Sequence, residues 1–404
     1  MNVKHKNIVG IVDIGTTKIV VLLAMINSKK NFEIIGIGHK ISSGVKKGII
    51  VNIEVTINDV ISAIHIAESM AKVKLNYIYT TITGDHINCF NSESMISVNN
   101  SEITDLDIQK VINVAKNMNI PSGQQLLNVI IKNFIIDNNN NITNPLGIIS
   151  STLGVKSHIV TSSSSVLNTL INCIYKCKVK LKDIYLHSLA SSNAVLTEDD
   201  KKLGVILLDI GGGTTDIVIF YNGVVCYNKV ISIAGNNITN DIATIYQISF
   251  EQAEFIKLNY KDPNKFLAIK KIIDNIEFNN ITIDLLEEII ETRVQELFIL
   301  IKKIILEGKY DNLISSIVIT GGTAKLFGIT DLAKNIFRKN IKIGIPNYNG
   351  SLSNIIRDPA FSAAIGLLRD ASEQTFQENN LNILQYANIN IKKFLKKIKY
   401  WFIN

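Results

Sequence analysis

Two stretches of the chain carry the same reactive groups in the same order. IVGIVDIGTTKIVVLLA (8–24) and GVILLDIGGGTTDIVIFYNG (204–223) each run an apolar, β-branched segment into Asp-Ile-Gly, a Thr-rich turn and a second apolar segment. Short β-branched runs around a Gly-Thr turn predict two hairpins. Glycine lets successive N–H groups converge on an anion, and Thr hydroxyls add further donors. One such turn is an ordinary surface feature. Two copies 196 residues apart, each with an Asp at the end of an apolar strand, predict a clamp that grips a polyphosphate from opposite sides of a cleft. In that reading Gly15, Thr16, Thr17 and Lys18 hold one set of oxygens, and Gly211, Gly212, Gly213 and Thr214 hold the other. Lys18 brings a point charge. Asp13 and Asp209 face a hydrated Mg²⁺, a cation that keeps several waters and takes few carboxylates.

The device differs from a P-loop, because no GxxxxGK[ST] occurs and each turn leads into a strand. A third Gly-rich turn, in SSIVITGGTAKLFGITDLAKNIF (315–337), also follows a β-branched strand. After Gly321 and Gly322 the chain reads as a helix whose N-terminal N–H groups can meet a ligand.

A chain of 404 residues that is 47% hydrophobic and 19% charged has ample apolar surface for a core, which excludes a disordered protein and implies two to four domains or subdomains. The skew to 38 Lys against 4 Arg, with 74 Ile and 46 Asn, matches A+T-rich coding and is not read as adaptation. Cys89, Cys173, Cys177 and Cys226 form no CxxC and no ligand cluster with the six scattered histidines, so they read as reduced, buried thiols of a cytoplasmic chain. Asp13 and Lys18 interrupt the first apolar stretch, and no uncharged run elsewhere reaches the roughly 18 residues that a membrane span needs.

After Arg369 the sequence turns polar, which predicts a linker over 370–388, and it then ends in INIKKFLKKIKYWFIN. On a helical wheel Ile391, Phe394, Leu395, Ile398, Trp401 and Phe402 share one side, while Lys392, Lys393, Lys396, Lys397 and Lys399 take the other. About 15 residues make a helix of some 22 Å, too short for a hydrocarbon core of about 30 Å, so the segment is expected to lie in the membrane interface. Of the net charge of +7, five charges sit in residues 390–404, which hold no acid, leaving +2 for the other 389 residues. The surplus is therefore local, and it points to anionic lipid and away from nucleic acid.

The three glycine turns in this order resemble the actin-like ATPase superfamily. SSGVKKGIIVNIE (42–54), TGDHINC (83–89), NPLGI (144–148), LASSNAVLTEDDKKLGVILLDIGGGTTDI (189–217), AGNNIT (234–239), VITGGTAKLFGI (318–329) and DPAFSAAIGLL (358–368) further resemble the FtsA family of bacterial cell-division proteins. The resemblance implies an α/β, actin-like (ribonuclease H-like, duplicated) fold of two domains with two subdomains each. It places subdomain 1A at 1–83 and 158–202 with a return at 357–369, an inserted 1C at 84–157, 2A at 203–240 and 310–356, 2B at 241–309, and the amphipathic helix at 389–404. Within 1C a strand is followed by a helix that Thr104 caps, with Asp105 and Asp107 in its first turn.

The same resemblance implies ATP and Mg²⁺ as cofactors. It carries Glu254 and Lys257, in the helical segment EQAEFIKLNY, and Gly321, Gly322 and Ala324 over as adenosine contacts; otherwise Glu254 and Lys257 are an exposed i,i+3 ion pair. Implied partners are the FtsZ tail at 2B, further copies of the chain, later division proteins at 1C, and an anionic membrane. The implied location is the cytoplasmic face of the inner membrane at the septum. Arg293 matches a family Arg in 2B, although a solvated helix face also accounts for it. Related ATPases place an acid that orients water before the Ala-rich stretch linking the domains. Here that stretch is HSLASSNAVL, with Leu189 and Ala190 about where the acid is expected, so at most slow hydrolysis is anticipated. The alternatives are a small-molecule kinase of the same superfamily, which needs a general base facing the γ-phosphate, or a relative of pilus-assembly ATPases, which has no need of a Lys-rich terminal helix.

Overall fold

A computed structural model describes residues 8–27, 31–137, 139–274 and 283–380. The duplication seen in sequence is a duplication of sheets. In the first, β1 (Ile8–Ile14), β2 (Lys18–Ile26) and β3 (Phe32–Ile41) form an antiparallel meander, and β4 (Tyr77–Ile82) lies parallel to β1. The strand Lys180–Leu186 adds parallel to β4 at the far edge. In the second, Val205–Ile210, Thr215–Tyr221 and Val224–Ile231 repeat the meander. Ser316–Thr320 and Asn340–Ile343 repeat the two parallel additions.

Both sheets are covered on both faces, which explains why their strands read as continuous apolar runs. Along β1 and β2, Val12, Ile14, Ile19, Val21 and Leu23 face the helices Ile53–Ala71 (α1) and Ser164–Lys176. Val9, Ile11, Val20, Leu22 and Ala24 face the helices His187–Val195 and Ser362–Asn380. Each such side chain, fully buried, contributes about 1.5–3 kcal/mol. Two contacts require glycine because backbone meets backbone. A Cβ on Gly38 would lie 1.8 Å from the Ala63 carbonyl oxygen of α1, and one on Gly366 would lie 1.6 Å from that of Ala190. The helix 187–195 is thereby pressed against 362–380, and it also contributes Leu189 and Val195 to the packing under the second sheet.

A third, four-stranded antiparallel sheet interrupts the first domain: Asn88–Glu102, Gln124–Ile136, Asn139–Ile142 and Ile149–Ser163, in the spatial order first, fourth, second, third. The helix Asp105–Lys116 covers it, and Thr104 and Asp107 form the reciprocal cap at its start. The expected division at residue 157 does not fall between elements. The segment SHIVTS is the second half of one 15-residue strand, whose pairing with 88–95 and 124–136 continues across that position.

The expected linker over 370–388 is also corrected in its first part, because helix 362–380 runs into it as far as residue 380, and 381–388 lie outside the described residues. Ala371, Ser372 and Thr375 are buried, Thr375 shares a hydrogen bond of 3.1 Å with the Tyr79 hydroxyl, and the Tyr185 hydroxyl donates to Gln374 at 2.8 Å. Small polar residues at helical spacing pack here on a tyrosine-lined sheet face. A single helix spans Ile283–Glu307. Among the described residues no helix is long and apolar enough to cross a membrane.

Candidate functional site

The carboxyl ends of the central strands of both sheets converge, and this is where an open α/β sheet places its ligands. The same hydrogen bond closes each hairpin turn: Gly15 N–H to the Lys18 carbonyl and Gly211 N–H to the Thr214 carbonyl, both 2.9 Å. The turns face each other across the domain boundary. A Cβ on Gly212 would sit 2.2 Å from Thr17 Cγ2, and one on Gly213 would sit 2.5 Å from Thr16 Oγ1, so glycine is what lets them approach. Thr16 Oγ1 also accepts from Gly48 N–H at 3.0 Å. Lys18 donates to the Ala360 carbonyl and lies 4.7 Å from the Phe361 ring centroid. Burial pushes its pKa down, against the opposing pull of Asp13, Asp358 and Asp209.

Asp13 and Asp209 end their strands at 4% exposure each. Asp13 accepts from Thr81 Oγ1 at 2.7 Å, Asp209 accepts from Ser191 Oγ, and Gly321, with φ of +86°, approaches Asp209 so closely that a Cβ would lie 2.4 Å from its Oδ1.

Between the two carboxylates stands a residue that the sequence reading did not single out. His187, first in its helix and next after an edge strand, places Nδ1 at 3.5 Å from Asp13 and Nε2 at 3.3 Å from Asp209. Burial alone would lower its pKa, but hydrogen bonding and attraction from both carboxylates outweigh that and raise it well above the usual value. Burial likewise opposes ionisation of Asp13, and His187 with Thr81 wins, so its pKa is lowered. Ala190 is buried against the helix 362–380, and His187 and Ser191 are the members of HSLASSNAVL that reach the two carboxylates. The signal available for His187 was its place at the carboxyl end of a parallel strand, which required the topology.

Asp216 was also missed. It lies directly across the hairpin from Asp209, an arrangement of like charges that is unfavourable on one sheet face. Buried at 1% exposure, it accepts from Thr83 Oγ1 at 2.8 and 2.9 Å, a contact between the two domains. Its pKa rises to about 7, chiefly through burial, with Asp209 adding to the rise and His187 and Thr83 opposing it.

Beside the second turn lie the other residues singled out in sequence. Thr323 Oγ1 donates to the Gly211 carbonyl at 2.8 Å, and the helix Gly235–Tyr246 begins with Gly235 N–H on that same oxygen at 3.1 Å. Lys257 is buried and donates to Glu254 at 2.6 Å, Thr239 at 2.9 Å and the Gly235 carbonyl at 3.3 Å. Lys257 is thus internal, while Glu254 is half-buried with its side chain 32% exposed. The chain after Gly321 departs from expectation: it makes a short 3₁₀ turn over Gly322–Lys325, with Ala324 buried, and the α-helix begins only at Ile329.

Arg293 stands apart from this cleft. Its guanidinium forms two hydrogen bonds, 2.6 and 2.9 Å, with Asp241 and a third with Glu296, tying helix 283–307 to helix 235–246. Ile391, Lys392, Lys393, Phe394, Leu395, Lys396, Lys397, Ile398, Lys399, Trp401 and Phe402 lie outside the described residues.

The model of the family "Cell division protein FtsA" matches residues 206–366, and that of the "SHS2 domain inserted in FTSA" matches 84–161. Cell division protein FtsA of Pseudomonas aeruginosa is 36% identical over 90% of this chain and 88% of its own length. The chain belongs to the FtsA family. The FtsA proteins of Neisseria meningitidis, 33% identical over 91% of each chain, and Escherichia coli K12, 30% identical over 98% of this chain and 97% of its own, agree. The FtsA-family assignment makes this a cell-division protein, and solved structures place it in the actin-like fold. PilM in the PilM-PilN type IV pilus biogenesis complex superposes with a TM-score of 0.65 at 12% identity, covering 90% of this chain and 98% of that one. MreB5 of Spiroplasma citri bound to ADP superposes at 0.54 and 14% identity, covering 93% and 99%.

Proposed function

We propose that the cleft binds ATP and that the protein self-associates on the cytoplasmic face of the inner membrane, where it tethers FtsZ filaments at the septum and helps to recruit later division proteins. The observation that carries the reading is the pair of matching turns, closed by the same hydrogen bond and facing each other from two domains. Gly15 to Lys18 and Gly211 to Thr214 hold the phosphates. Glu254, Lys257, Gly321, Gly322 and Ala324 meet the adenosine, beside the turn that Thr323 and Gly235 brace.

The donor set fits Mg²⁺. Among the described residues no three His, Cys, Asp or Glu form a metal cage, whereas Asp13 and Asp209 supply the few carboxylates that a hydrated Mg²⁺ takes. When bound, Mg²⁺ offsets phosphate charge. The chain's own residues orient the phosphates through backbone N–H groups and hold the carboxylates through Thr81, Ser191 and His187. Without an acid at the start of helix 187–195, turnover is slow, and nucleotide acts by biasing how the two domains close and present polymer contacts.

FtsZ docks on 2B, later division proteins on the inserted 1C, and residues 389–404 anchor the assembly. Each Lys near an anionic leaflet contributes about 1 kcal/mol, and several tails in one polymer act together. Arg293 has a side chain 29% exposed, which leaves it at the rim of the 2B surface.

The anchor is tested by co-sedimentation with vesicles containing phosphatidylglycerol. The full chain is expected to sediment with them. A chain ending at residue 388 is expected to stay in the supernatant while binding a fluorescent ATP analogue with unchanged affinity. Co-sedimentation of the shortened chain overturns the anchor, and loss of ATP binding by the full chain on Gly212→Val is expected if the turns form the clamp.

A further inference from the structure

We propose that His187 sets the Mg²⁺ dependence of nucleotide binding by bridging Asp13 and Asp209, so that ATP enters a cleft whose carboxylates are already held by a side chain of the protein. The inference rests on the ATP-cleft reading and goes beyond it by assigning a role to a residue outside the glycine turns. Two buried carboxylates that converge on one point repel each other unless a donor or cation stands between them. Here the ring nitrogens occupy that point, 3.5 Å from Asp13 Oδ1 and 3.3 Å from Asp209 Oδ2.

The same two oxygens are each taken a second time. Thr81 Oγ1 donates to Asp13 Oδ1, and Ser191 Oγ, one helical turn beyond His187, donates to Asp209 Oδ2. Gly321 crowds Asp209 Oδ1 from the other side, where a Cβ would stand 2.4 Å away. A hydrated Mg²⁺ requires lone pairs on these carboxylates for its waters, in near-octahedral geometry. It must therefore compete with the imidazole for the same acceptors. The bridge is rigidly mounted, because His187 begins a helix whose Ala190 carbonyl is pressed against Gly366 and whose Asn193 donates to Asp370 at 2.9 and 3.1 Å.

His187 is thus a positioning residue. It keeps the carboxylates in place without metal and makes metal binding less favourable than the two carboxylates alone would. Removing the ring leaves an uncompensated pair, which should bind Mg²⁺ more tightly and repel metal-free ATP more strongly.

The experiment measures the affinity of the full chain for a fluorescent ATP analogue, in excess Mg²⁺ and in EDTA, for the unaltered protein, His187→Ala and His187→Gln. The expected ratio of the two dissociation constants is below tenfold for the unaltered protein and at least tenfold larger for His187→Ala. His187→Gln, which retains one neutral donor, falls between and guards against loss of folding in the alanine variant. A merely structural role would weaken both affinities together and leave the ratio unchanged, and a ratio unchanged in both variants overturns the inference alone. Failure of the unaltered protein to bind the analogue under either condition overturns the cleft reading as well.

Discussion

Asp216→Asn should make the protein more stable than its parent, and by clearly more at pH 8 than at pH 5. The carboxyl is buried at 1% exposure, pairs across the strand with Asp209, and has a pKa raised from 3.8 to about 7. Because the folded state holds this proton more tightly than the unfolded chain, stability is fully present below pH 3.8, falls as pH rises towards 7, and is flat above. A rise of about 3 in pKa corresponds to about 4 kcal/mol between the two ends of that window. Asparagine keeps an acceptor for Thr83 and carries no charge at any pH, so the variant lacks the slope.

Urea unfolding followed by circular dichroism, with midpoints compared at a common m-value, reads the difference. The expected result is a gain of about 3–4 kcal/mol at pH 8 and of about 1–2 kcal/mol at pH 5, where the folded carboxyl is still protonated but the unfolded one is already ionised. His187 has the same sign in a higher window. Its raised pKa gives stability that is present below 6.5 and lost only as pH rises through the higher folded value, so it does not produce the fall between pH 4 and 7. A variant whose stability difference from the parent is the same at pH 5 and pH 8 would refute the assignment of that slope to Asp216.

Two further changes separate the frame from the site. Gly366→Ala places a Cβ where the Ala190 carbonyl oxygen stands 1.6 Å away, so it should cost about 1–3 kcal/mol and, by moving the helix that carries His187 and Ser191, weaken ATP binding. Gly147→Ala, with nothing within 4 Å of the new Cβ, should leave ATP affinity unaltered in the same titration. Lys257→Met should cost about 1 kcal/mol, since Glu254 is 32% exposed and keeps Thr239, and should reduce ATP affinity at least tenfold; reduced stability with unaltered affinity would remove Lys257 from the adenosine contacts.

The parts of the cleft legible in sequence are those built from neighbours. Asp13 to Lys18 and Asp209 to Thr214 are contiguous, and turn chemistry with strand patterning is local, so both hairpins and their facing glycines could be anticipated. His187 could not, since its partners lie 174 residues before it and 22 after, joined by parallel additions at the far side of one sheet. Composition misled in a second place. Residues 370–380 are polar enough to read as a linker, yet Ala371, Ser372 and Thr375 are buried at helical spacing and Thr375 finds the Tyr79 hydroxyl on a tyrosine-lined face. Polarity predicts exposure only when no buried partner exists for the polar group.

The duplicated hairpins are alike in turn chemistry and unlike in charge, and the difference locates the division of labour between the domains. Across from Asp13 stands Val20, so the first hairpin carries one carboxylate, backed by Lys18; across from Asp209 stands Asp216, so the second carries two. The second sheet alone would hold an unfavourable pair of buried acids. It is relieved from the first domain, by Thr83 on Asp216 and by His187 and Ser191 on Asp209. Opening the cleft separates Thr83 from Asp216 and withdraws that relief, which gives domain closure an electrostatic component before any ligand is considered. In the proposed function, a nucleotide spanning the turns would act on a closure equilibrium already weighted by these two acids.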